Sequence, residues 1–296
     1  MASWTSDFAL SGDLLAGVNG HALNGNGSLR DVQAVIMAGG RGTRLAPYTT
    51  VLPKPLMPVG DKSILEIVVE QLEEHGIVDI NFCVGYLAHL IQAVFESREN
   101  GHVNITYVHE SNPLGTAAPL RLVDGLDSTF LVMNGDVLTL LDYGDLIRYH
   151  REAGNAMTIA TAERAVKIDY GILHLDGSEQ RIRAFEEKPE IVSLVSMGVY
   201  VMEPSVIEHI PEQRYFDFPD LVQALLAAGE PIGAYTHEGL WFDIGRQEDY
   251  ERAVSVWIDN GHTNGHPRNG ANGNGKPGST PKASDLLGDQ QERDLG

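Results

Sequence analysis

The first half of the chain alternates between short apolar runs and segments whose apolar residues recur at helical spacing. The runs are rich in apolar and β-branched residues, which is typical of buried strands. They cover residues 35–38, 80–84, 103–108 and 130–133. Helices are predicted at residues 63–75, 87–97, 116–123 and 142–154. This alternation of strands and helices predicts right-handed βαβ units and a mostly parallel sheet.

The second half has strands with fewer helices between them. Strands are predicted at residues 156–162, 171–175, 182–186 and 196–202, and closing helices at 218–228 and 247–258. The fold class we expect is therefore α/β, with a Rossmann-like, mostly parallel mixed sheet flanked by helices. The additional strands predict an inserted β-rich region that forms the second wall of a cleft.

Both ends of the chain have a different composition. Residues 1–30 and 260–296 are rich in Gly and Asn and show no apolar periodicity. Segments of this kind cannot bury enough apolar surface to offset the entropy lost on ordering. We therefore predict a disordered tail at each end and one folded domain over residues 31–259.

The chain has a formal net charge of −20, and no basic stripe is visible along it. This balance argues against nucleic acid as the main partner. No stretch approaches the roughly 20 apolar residues of a membrane span, so we expect no membrane association. The single cysteine, Cys83, lies in an apolar run and is expected to be a small buried hydrophobe, which fits a cytoplasmic protein without disulfides.

A glycine-rich turn follows the first predicted strand and carries positive charge. Residues 39–44 read Gly-Gly-Arg-Gly-Thr-Arg, and Lys54 follows between two prolines. Glycines let backbone N–H groups approach a ligand closely, and the two arginines and the lysine add charge at the same mouth. This segment predicts a site that grips a polyphosphate.

Two common phosphate-binding turns do not fit the segment. A dinucleotide-binding turn needs a third glycine where Leu45 stands, and no acidic residue follows at the expected distance. A P-loop needs a Gly-Lys-Ser/Thr sequence, which does not follow the turn. An oxidoreductase that uses a nucleotide cofactor is therefore disfavoured.

Two aspartates are candidates for a metal site. Asp136 lies just past the strand at 130–133, where ligands bind in open α/β sheets, although a residue there is also often a turn residue or a helix cap. Asp243 precedes Ile244 and follows two aromatic residues, an apolar setting in which an unpaired carboxylate is costly. Two carboxylates with phosphate oxygens and water suit Mg²⁺, whereas the scattered histidines show no zinc pattern.

The turn and the lysine together resemble a known family. Gly-Gly-x-Gly-Thr-Arg-Leu at 39–45, followed by Pro-Lys-Pro at 53–55, resembles the signature of the sugar-phosphate nucleotidyltransferases, which make NDP-sugars. Further segments similar to motifs of that family are Leu114-Gly115-Thr116-Ala117, Asn134-Gly135-Asp136, Tyr170-Gly171, Glu186-Glu187-Lys188-Pro189, Ser196-Met197-Gly198-Val199-Tyr200 and Trp241-Phe242-Asp243-Ile244-Gly245. The resemblance covers residues 32–258.

The resemblance implies a reaction in which an NTP and a sugar 1-phosphate give an NDP-sugar and pyrophosphate. It implies catalytic roles for Arg44, Lys54 and Lys188, and a Mg²⁺ site at Asp136 and Asp243. The implied nucleotide-binding residues are Ala38, Gly39, Gly40, Gly42, Thr43, Arg44, Gly85, Gly115, Thr116 and Asn134. The implied sugar-binding residues, which give the β-rich region its role, are Gly171, Glu187, Lys188 and Gly198.

The substrates are less constrained than the reaction. The loop at 113–117 is more similar to the guanylyltransferases for mannose 1-phosphate than to the thymidylyltransferases, which favours GTP. The acceptor stays open among hexose 1-phosphates, heptose phosphates and cyclitol phosphates. The alternative is a catalytically silent regulatory subunit that binds NDP-sugars, although such a protein would be expected to have lost a catalytic cation or a metal carboxylate. The resemblance also points to a homo-oligomer, for which the chain carries no assembly motif.

Overall fold

The computed structural model describes residues 29–97, 102–110, 112–177 and 181–259. The predicted tails lie outside these residues, except for Leu29 and Arg30. Leu29 packs against the core, and its carbonyl oxygen accepts a hydrogen bond from the Val32 N–H at 3.0 Å. The described structure therefore includes the last residues of the predicted N-terminal tail.

Strands and helices alternate along the described chain, as the apolar pattern predicts. In chain order the strands are β1 (Gln33–Met37), β2 (Pro58–Val59), β3 (Lys62–Ser63), β4 (Asp79–Val84), β5 (Asn104–His109), β6 (Phe130–Asn134), β7 (Val137–Thr139), β8 (Met157–Lys167), β9 (Ile172–Asp176), β10 (Arg181–Glu186), β11 (Glu190–Met202), β12 (Ile232–Thr236) and β13 (Trp241–Asp243). The α-helices are α1 (Ile64–Glu74), α2 (Ala88–Glu96), α3 (Tyr143–Ala153), α4 (Phe218–Ala228) and α5 (Gln247–Asp259). In the part of the chain described here, no helix has the length and apolar character needed to cross a lipid bilayer.

A seven-stranded sheet in the order β12-β8-β11-β6-β1-β4-β5 forms the centre of the protein. Strand β1 pairs in parallel with β4 and β6, β4 pairs in parallel with β5, and β11 runs antiparallel to both of its neighbours. Met37 lies level with Cys83 and Asn134, and Val84 lies level with His109. The carboxyl ends of β1, β4, β5 and β6 therefore meet at one edge. The expected mostly parallel, mixed α/β fold is confirmed.

Side chains of the central strands alternate between two hydrophobic cores. Val35 in β1 faces one core, and its neighbours Ala34 and Ile36 face the other. Helices α1, α2, α3 and α5 cover the face of Ala34, while α4 and the short 3-10 helices at 118–122 and 204–209 cover the opposite face. Strands buried on both faces are apolar at nearly every position, which explains the apolar runs in the sequence. Cys83 is fully buried in this way, as expected.

The structure differs from the sequence prediction where elements are short. The helix expected at 116–123 is a 3-10 helix over Ala118–Leu122. The N–H groups of Ala117 and Ala118 donate to the Phe216 carbonyl oxygen at 3.0 and 3.1 Å, so this segment is held by the chain that precedes α4. Strands β2, β3, β7, β12 and β13 are not predicted. Four of them have only two or three residues, which is too few to show a periodicity. Strand β12 has five residues but contains no buried position that would mark it as a core strand.

The predicted β-rich insertion is present as an arm that extends from the main sheet. Strands β8 and β11 stay paired as far as Lys167 and Glu190, and β9 and β10 form a separate two-stranded sheet. The side chains of the arm are largely exposed, with 80% exposure at Tyr170 and 60% at Phe185. The sequence predicts shorter bounds for β8 and β11, because strands exposed on both faces lack an alternation of apolar and polar residues.

We expect Ser63→Ala to lower the free energy of unfolding by about 1 kcal/mol. The Ser63 hydroxyl accepts a hydrogen bond from the Glu66 N–H at 3.3 Å, and the Glu66 carboxylate accepts one from the Ser63 N–H at 2.8 Å. The two bonds form a capping box at the start of α1. Urea denaturation measures the change, with Ser205→Ala as control, because Ser205 is exposed and its hydroxyl bonds to no described residue. Equal midpoints for the two variants would contradict the expected contribution of the cap.

Candidate functional site

The glycine turn leaves the carboxyl end of β1 in a conformation that requires glycine. The Ala38 N–H donates to the Cys83 carbonyl oxygen at 2.8 Å and keeps the chain beside β4. Gly42 has a φ of +59°, and a Cβ there would lie 2.9 Å from the Thr49 methyl group. The Thr49 hydroxyl in turn donates to the Gly42 carbonyl oxygen at 2.8 Å. A side chain at position 42 would therefore be strained and would also push away the residues that hold the turn.

Lys54 lies beneath this turn and is almost completely buried. Its side chain is 9% exposed, and its ammonium group forms an ion pair with Oδ2 of Asp136. The other oxygen of Asp136, Oδ1, is buried and accepts no hydrogen bond from any described residue. A buried carboxylate oxygen without a partner is costly. This oxygen is therefore suited to a donor or a cation supplied by a ligand.

Asp243 is distant from Asp136 in the sequence, but the backbone places the two residues side by side. Strand β13 pairs antiparallel with β7, which sets Asp243 opposite Val137. The Ile244 N–H donates to the backbone carbonyl oxygen of Asp136 at 3.2 Å. The short strands β7 and β13 thus bring together the two aspartates that the sequence predicts as metal ligands.

The pKa of Asp243 responds to three other predicted site residues. Partial burial and then the negative charge of Asp136 raise the pKa of Asp243 above its usual value, and the positive charges of Lys54 and Arg44 oppose this rise. Arg44 also lies beside Gly245, where a Cβ would be 3.6 Å from its guanidinium nitrogens. Two cationic and two anionic residues among the predicted site residues therefore influence one another electrostatically.

A cavity of about 260 Å³ opens between the glycine turn and Asp136. It is lined by Gly40, Gly42, Thr43, Arg44, Lys54 and Asp136. Arg41, the other arginine of the turn, lies instead over the ring of Tyr86, at 5.8 Å from its centre. A second depression, of about 570 Å³, lies along β4 and β5 and contains none of the predicted site residues.

The loop at 114–117 is fastened to the start of α4. Both the N–H and the hydroxyl of Thr116 donate to Oδ1 of Asp217, at 2.8 and 3.0 Å, and the Tyr215 hydroxyl donates to Oδ2 at 2.7 Å. Burial raises the pKa of Asp217, but these hydrogen bonds outweigh it and hold the pKa below its usual value. Gly115 has a φ of +94°, and a Cβ there would lie 2.6 Å from the Phe216 carbonyl oxygen. The sequence contains no local signal for this distant anchor.

Glu110 is a candidate site residue that the sequence analysis did not name. It follows the carboxyl end of β5, as Asp136 follows β6, and that position is the signal by which it was detectable. A Cβ at Gly39 would lie 2.6 Å from Oε1 of Glu110, and a Cβ at Gly85 would lie 3.2 Å from the Gly39 carbonyl oxygen. The Leu114 N–H donates to Oε2 of Glu110 at 3.1 Å. Partial burial raises the pKa of Glu110, and this hydrogen bond opposes the rise.

Gly198 and Asn134 lie together beside the metal candidates. Gly198 has a φ of +75°, and a Cβ there would lie 2.6 Å from the amide nitrogen of Asn134. It occupies an irregularity in β11, where the pairing with β8 shifts between Ser196 and Tyr200. The Trp241 indole N–H donates to the Met197 carbonyl oxygen at 3.0 Å and ties this irregularity to β13.

The remaining sugar-binding candidates lie where the paired strands β8 and β11 pass into the β9–β10 sheet. A Cβ at Gly171 would collide with the ring of Phe185 and would lie 3.2 Å from a carboxylate oxygen of Glu187. Lys188 is exposed and has a positive φ of 44°. Within the described residues, no hydrogen bond or ion pair joins the side chain of Glu187 or Lys188 to the Lys54–Asp136 pair. The structure thus brings Gly171 and Glu187 together but shows no such bond, among the described residues, from Glu187 or Lys188 to the Lys54–Asp136 pair.

The metal candidates form a pair of carboxylates. Among the described residues, no group of three or more His, Cys, Asp and Glu side chains is arranged to hold a metal ion. Mg²⁺ often takes only one or two protein carboxylates and completes its shell with water and phosphate oxygens. The buried, unpartnered Oδ1 of Asp136 together with Asp243 therefore fits a hard divalent cation that is shared with a phosphate ligand.

We expect Asp243→Asn to raise the melting temperature of the metal-free protein at pH 7. A carboxyl group with a raised pKa destabilises the folded state at pH values above that pKa, and the neutral amide removes this penalty. The gain shrinks as the pH falls towards the usual range for aspartate, because Asp243 then becomes protonated. Differential scanning calorimetry in EDTA measures both effects, with the exposed Asp127→Asn as the matched control. A lower melting temperature for Asp243→Asn than for the control would contradict the prediction.

Comparison with known proteins supports the sequence resemblance. Residues 33–259 match the nucleotidyl transferase family. A UTP–glucose-1-phosphate uridylyltransferase of Synechocystis is 33% identical over 243 residues, which cover 75% of this chain and 62% of the relative. A mannose-1-phosphate guanyltransferase of Schizosaccharomyces pombe is 34% identical over 235 residues, which cover 77% of this chain and 64% of the relative. The chain thus spans somewhat less than two thirds of the length of these relatives.

A solved structure shares the architecture. HddC from Yersinia pseudotuberculosis, complexed with GMP-PN, is 26% identical, has a TM-score of 0.58, and covers 76% of this chain and 99% of its own. The family match extends over nearly all of the described residues, and it includes the glycine turn, the lysine and both aspartates. The chain therefore belongs to the nucleotidyl transferase family, with sugar-1-phosphate uridylyltransferases and guanylyltransferases among its relatives.

Proposed function

We propose that this protein transfers a nucleotidyl group from a nucleoside triphosphate, GTP in preference, to a sugar 1-phosphate or a sugar-like cyclitol phosphate. The products are an NDP-sugar and pyrophosphate. The observation that carries the proposal is the Lys54–Asp136 ion pair beside Asp243, beneath a glycine turn that ends in Arg44. This constellation sets Arg44, Lys54 and one candidate metal ligand, Asp136, around one cavity, and phosphoryl-type chemistry relies on such charges.

The proposed reaction needs alignment and charge neutralisation more than proton transfer. A phosphate oxygen of the sugar 1-phosphate forms a bond to the α-phosphorus, and the bond from that phosphorus to the bridging oxygen of the β-phosphate breaks. The nucleophile and the leaving group are both anions, so no general base is needed. Positioning and electrostatic stabilisation of an in-line displacement are then the main sources of catalysis.

Lys54 supplies the fixed positive charge between the two reacting phosphates. Because its side chain is 9% exposed, water screens its charge less than it screens a surface lysine. The ion pair with Asp136 and the flanking prolines limit the positions of the ammonium group. In the proposed role, Lys54 binds the α-phosphate and the attacking phosphate and holds them in line.

The glycine turn binds the part of the nucleotide that leaves. Gly40 is exposed and has no neighbour within 4 Å of a hypothetical Cβ, so a phosphate can approach its backbone closely. Thr43 and Arg44 are exposed at the same mouth. We assign the backbone N–H groups of residues 39–43 and the guanidinium of Arg44 to the β- and γ-phosphates and to the departing pyrophosphate.

Members of this family generally use a divalent metal ion. We propose that Asp136 and Asp243 hold Mg²⁺, with Oδ1 of Asp136 as one ligand atom. When bound, the ion neutralises charge on the α-phosphate and restricts the line of attack. Asp136 has a second task in this proposal, because its other oxygen keeps the ammonium group of Lys54 in place.

The sugar phosphate is proposed to bind between the main sheet and the arm. Lys188 supplies a cation for its phosphate, and Glu187 accepts hydrogen bonds from sugar hydroxyl groups. Gly171 and Gly198 are proposed to let the sugar approach the backbone, with the ring of Phe185 packed against Gly171 and the amide of Asn134 against Gly198. We also propose a cytoplasmic location. The chain has one cysteine and cannot form an internal disulfide, which fits a reducing compartment.

Pyrophosphate release tests the reaction directly. Purified protein with Mg²⁺ is incubated with each common NTP and with hexose, heptose and cyclitol phosphates in turn. Release that needs both substrates and stops on addition of EDTA is the expected result. Binding of an NDP-sugar without pyrophosphate release from any pair would replace the enzyme with a regulatory, NDP-sugar-binding protein.

We expect Lys54→Ala to lower kcat by roughly 10²–10³-fold, by analogy with the loss of one preorganised charge-stabilising group. Lys62→Ala is the matched control, because Lys62 pairs with Glu70 and lies outside the cavity. The removal of Lys54 leaves Asp136 without its counter-charge, so thermal melting of each variant is measured beside the kinetics. Lys54→Arg keeps the charge and should retain part of the activity. Near-normal turnover in a folded Lys54→Ala protein would exclude the proposed role.

A further inference from the structure

The outer sheet of the arm, formed by β9 and β10, has one apolar face. Leu173 lies opposite Phe185, and Leu175 lies opposite Ile182, in the register of the two strands. Opposed residues of antiparallel strands project from the same face, and so do residues two apart along one strand. These four side chains therefore form one continuous surface, which we name the apolar arm face.

The other face of this sheet is polar. Nε2 of His174 lies 3.5 Å from Oε2 of Glu186, and Ala184 lies opposite His174. The register shifts between Ile182 and Ala184, so one extra residue, Arg183, is taken up there. Because of this irregularity, Ile182 and Phe185 project from the same face although they are three residues apart. The backbone thus keeps the apolar and polar faces separate.

The apolar arm face is uncovered in the described chain. Its four residues are between 52% and 62% exposed, and neither hydrophobic core of the described residues includes any of them. A two-stranded sheet is only marginally stable in water unless its apolar face packs against another element. Folded monomers also rarely expose a large continuous apolar patch. The pattern of this sheet therefore indicates a protein partner.

The arm exposes enough apolar surface for a stable dimer. Nine of the sixteen large apolar side chains that are exposed among the described residues lie within residues 166–194. At about 100 Å² for each, they present roughly 900 Å², and a standard interface removes about 800 Å² from each partner. The apolar arm face supplies roughly half of what such an interface needs. Strands β8 and β11 supply more, through cross-strand pairs such as Val166 with Ile191.

We propose that the apolar arm face is an interface between two copies of this chain, related by a two-fold axis. Such an axis places the same patch of each copy against the other, so the patch has to be complementary to itself. A surface that is apolar throughout meets this requirement, because apolar contact is non-directional. The two arms then cover each other, and each two-stranded sheet gains the packing that it lacks alone.

The charges of the arm also suit a second copy. Two copies that each carry a net charge of −20 repel one another. Residues 172–185 carry two acidic and two basic residues and so have no net charge. Asp176 lies opposite Arg181 beside the apolar pairs, so each copy presents both signs next to the patch. A strongly charged partner would find no excess of opposite charge there.

A small-molecule ligand explains the apolar arm face less well. The sugar phosphate proposed above presents hydroxyl and phosphate groups, which need hydrogen-bond donors and acceptors. The apolar arm face offers four hydrocarbon side chains instead. The inference is therefore separate from the proposed transferase activity, and it is tested without substrate.

Sedimentation equilibrium of the purified full chain tests the interface. Over a wide range of protein concentrations, the wild type should interconvert between the mass of one chain and twice that mass. Ile182→Glu brings two like charges into an apolar interface and should raise the dimer Kd by roughly tenfold or more. Ala184→Glu adds the same charge to the polar face of the same strand, and Leu226→Glu replaces an exposed leucine on α4. Both controls should dimerise as the wild type does.

A thiol probe gives a second readout. Cys83 is fully buried, and burial raises the pKa of its thiol to about 12, so it reacts slowly with disulfide reagents. The chain has no other cysteine, so Leu175→Cys introduces one accessible thiol into the apolar arm face. Its reaction with a soluble disulfide reagent should slow as the protein concentration rises through the dimer range. Adding Ile182→Glu should restore fast reaction at every concentration, and thermal melting checks that each variant is folded.

Three results would overturn the proposal. The first is a wild type that stays monomeric at every concentration, with the thiol of Leu175→Cys equally reactive throughout. The second is a dimer that Ile182→Glu leaves intact, because another surface then forms it. The third is a dimer that Ala184→Glu weakens as much as Ile182→Glu does, because the effect is then general charge repulsion.

Salt dependence distinguishes an apolar interface from an ionic one. Added salt screens the repulsion between two acidic copies and leaves apolar contacts in place, so the dimer should become tighter. Dissociation of the dimer by salt would contradict the proposed interface.

Discussion

The parallel register of β1, β4, β5 and β6 is the constraint on which the whole site depends. Because these strands end level with one another, the glycine turn, Gly85, Glu110 and Asp136 follow them at the same edge of the sheet. Strands β1 and β6 are neighbours, with β4 and β5 beyond β1 and with β11, β8 and β12 beyond β6. The direction in which strands are added therefore reverses between β1 and β6, and α/β sheets bind ligands in the crevice at such a point. A slip of β6 by one residue would move Asp136 by about 3.3 Å and turn it to the other face. The Lys54–Asp136 pair is therefore a product of strand packing as much as of the motifs that contain the two residues.

The site combines features that do not favour the stability of the folded protein. Lys54 is nearly buried, Oδ1 of Asp136 lacks a described partner, and the pKa of Asp243 is raised. Gly42 and Gly198 adopt positive φ values where their neighbours leave no room for a side chain. Strain and uncompensated charge of this kind are typical of functional sites and persist because the surrounding structure holds them. Here the two hydrophobic cores on either side of the sheet provide that support.

The phosphate-binding candidates concentrate positive charge in a protein that is acidic overall. Arg44 and Lys54 lie at the end where phosphates are proposed to bind, within a chain whose net charge is −20. Binding of a phosphate therefore depends on this local charge, since the overall charge of the protein repels phosphates.

The amino-acid sequence by itself determined the alternation of strands and helices, because strands buried on both faces need apolar residues throughout and helices cover the sheet with one apolar face. It also determined the glycine turn, Lys54 and the two aspartates as candidates, since their chemistry is carried by local motifs. Only the tertiary structure decided that Asp243 meets Asp136 through the short strands β7 and β13, that Asp217 fastens the loop at Thr116, and that Glu110 lies beside Gly39. These contacts join residues that are far apart in the sequence, and such pairings leave no periodic signal. They depend on which strands become neighbours, a choice made by the packing of the whole sheet.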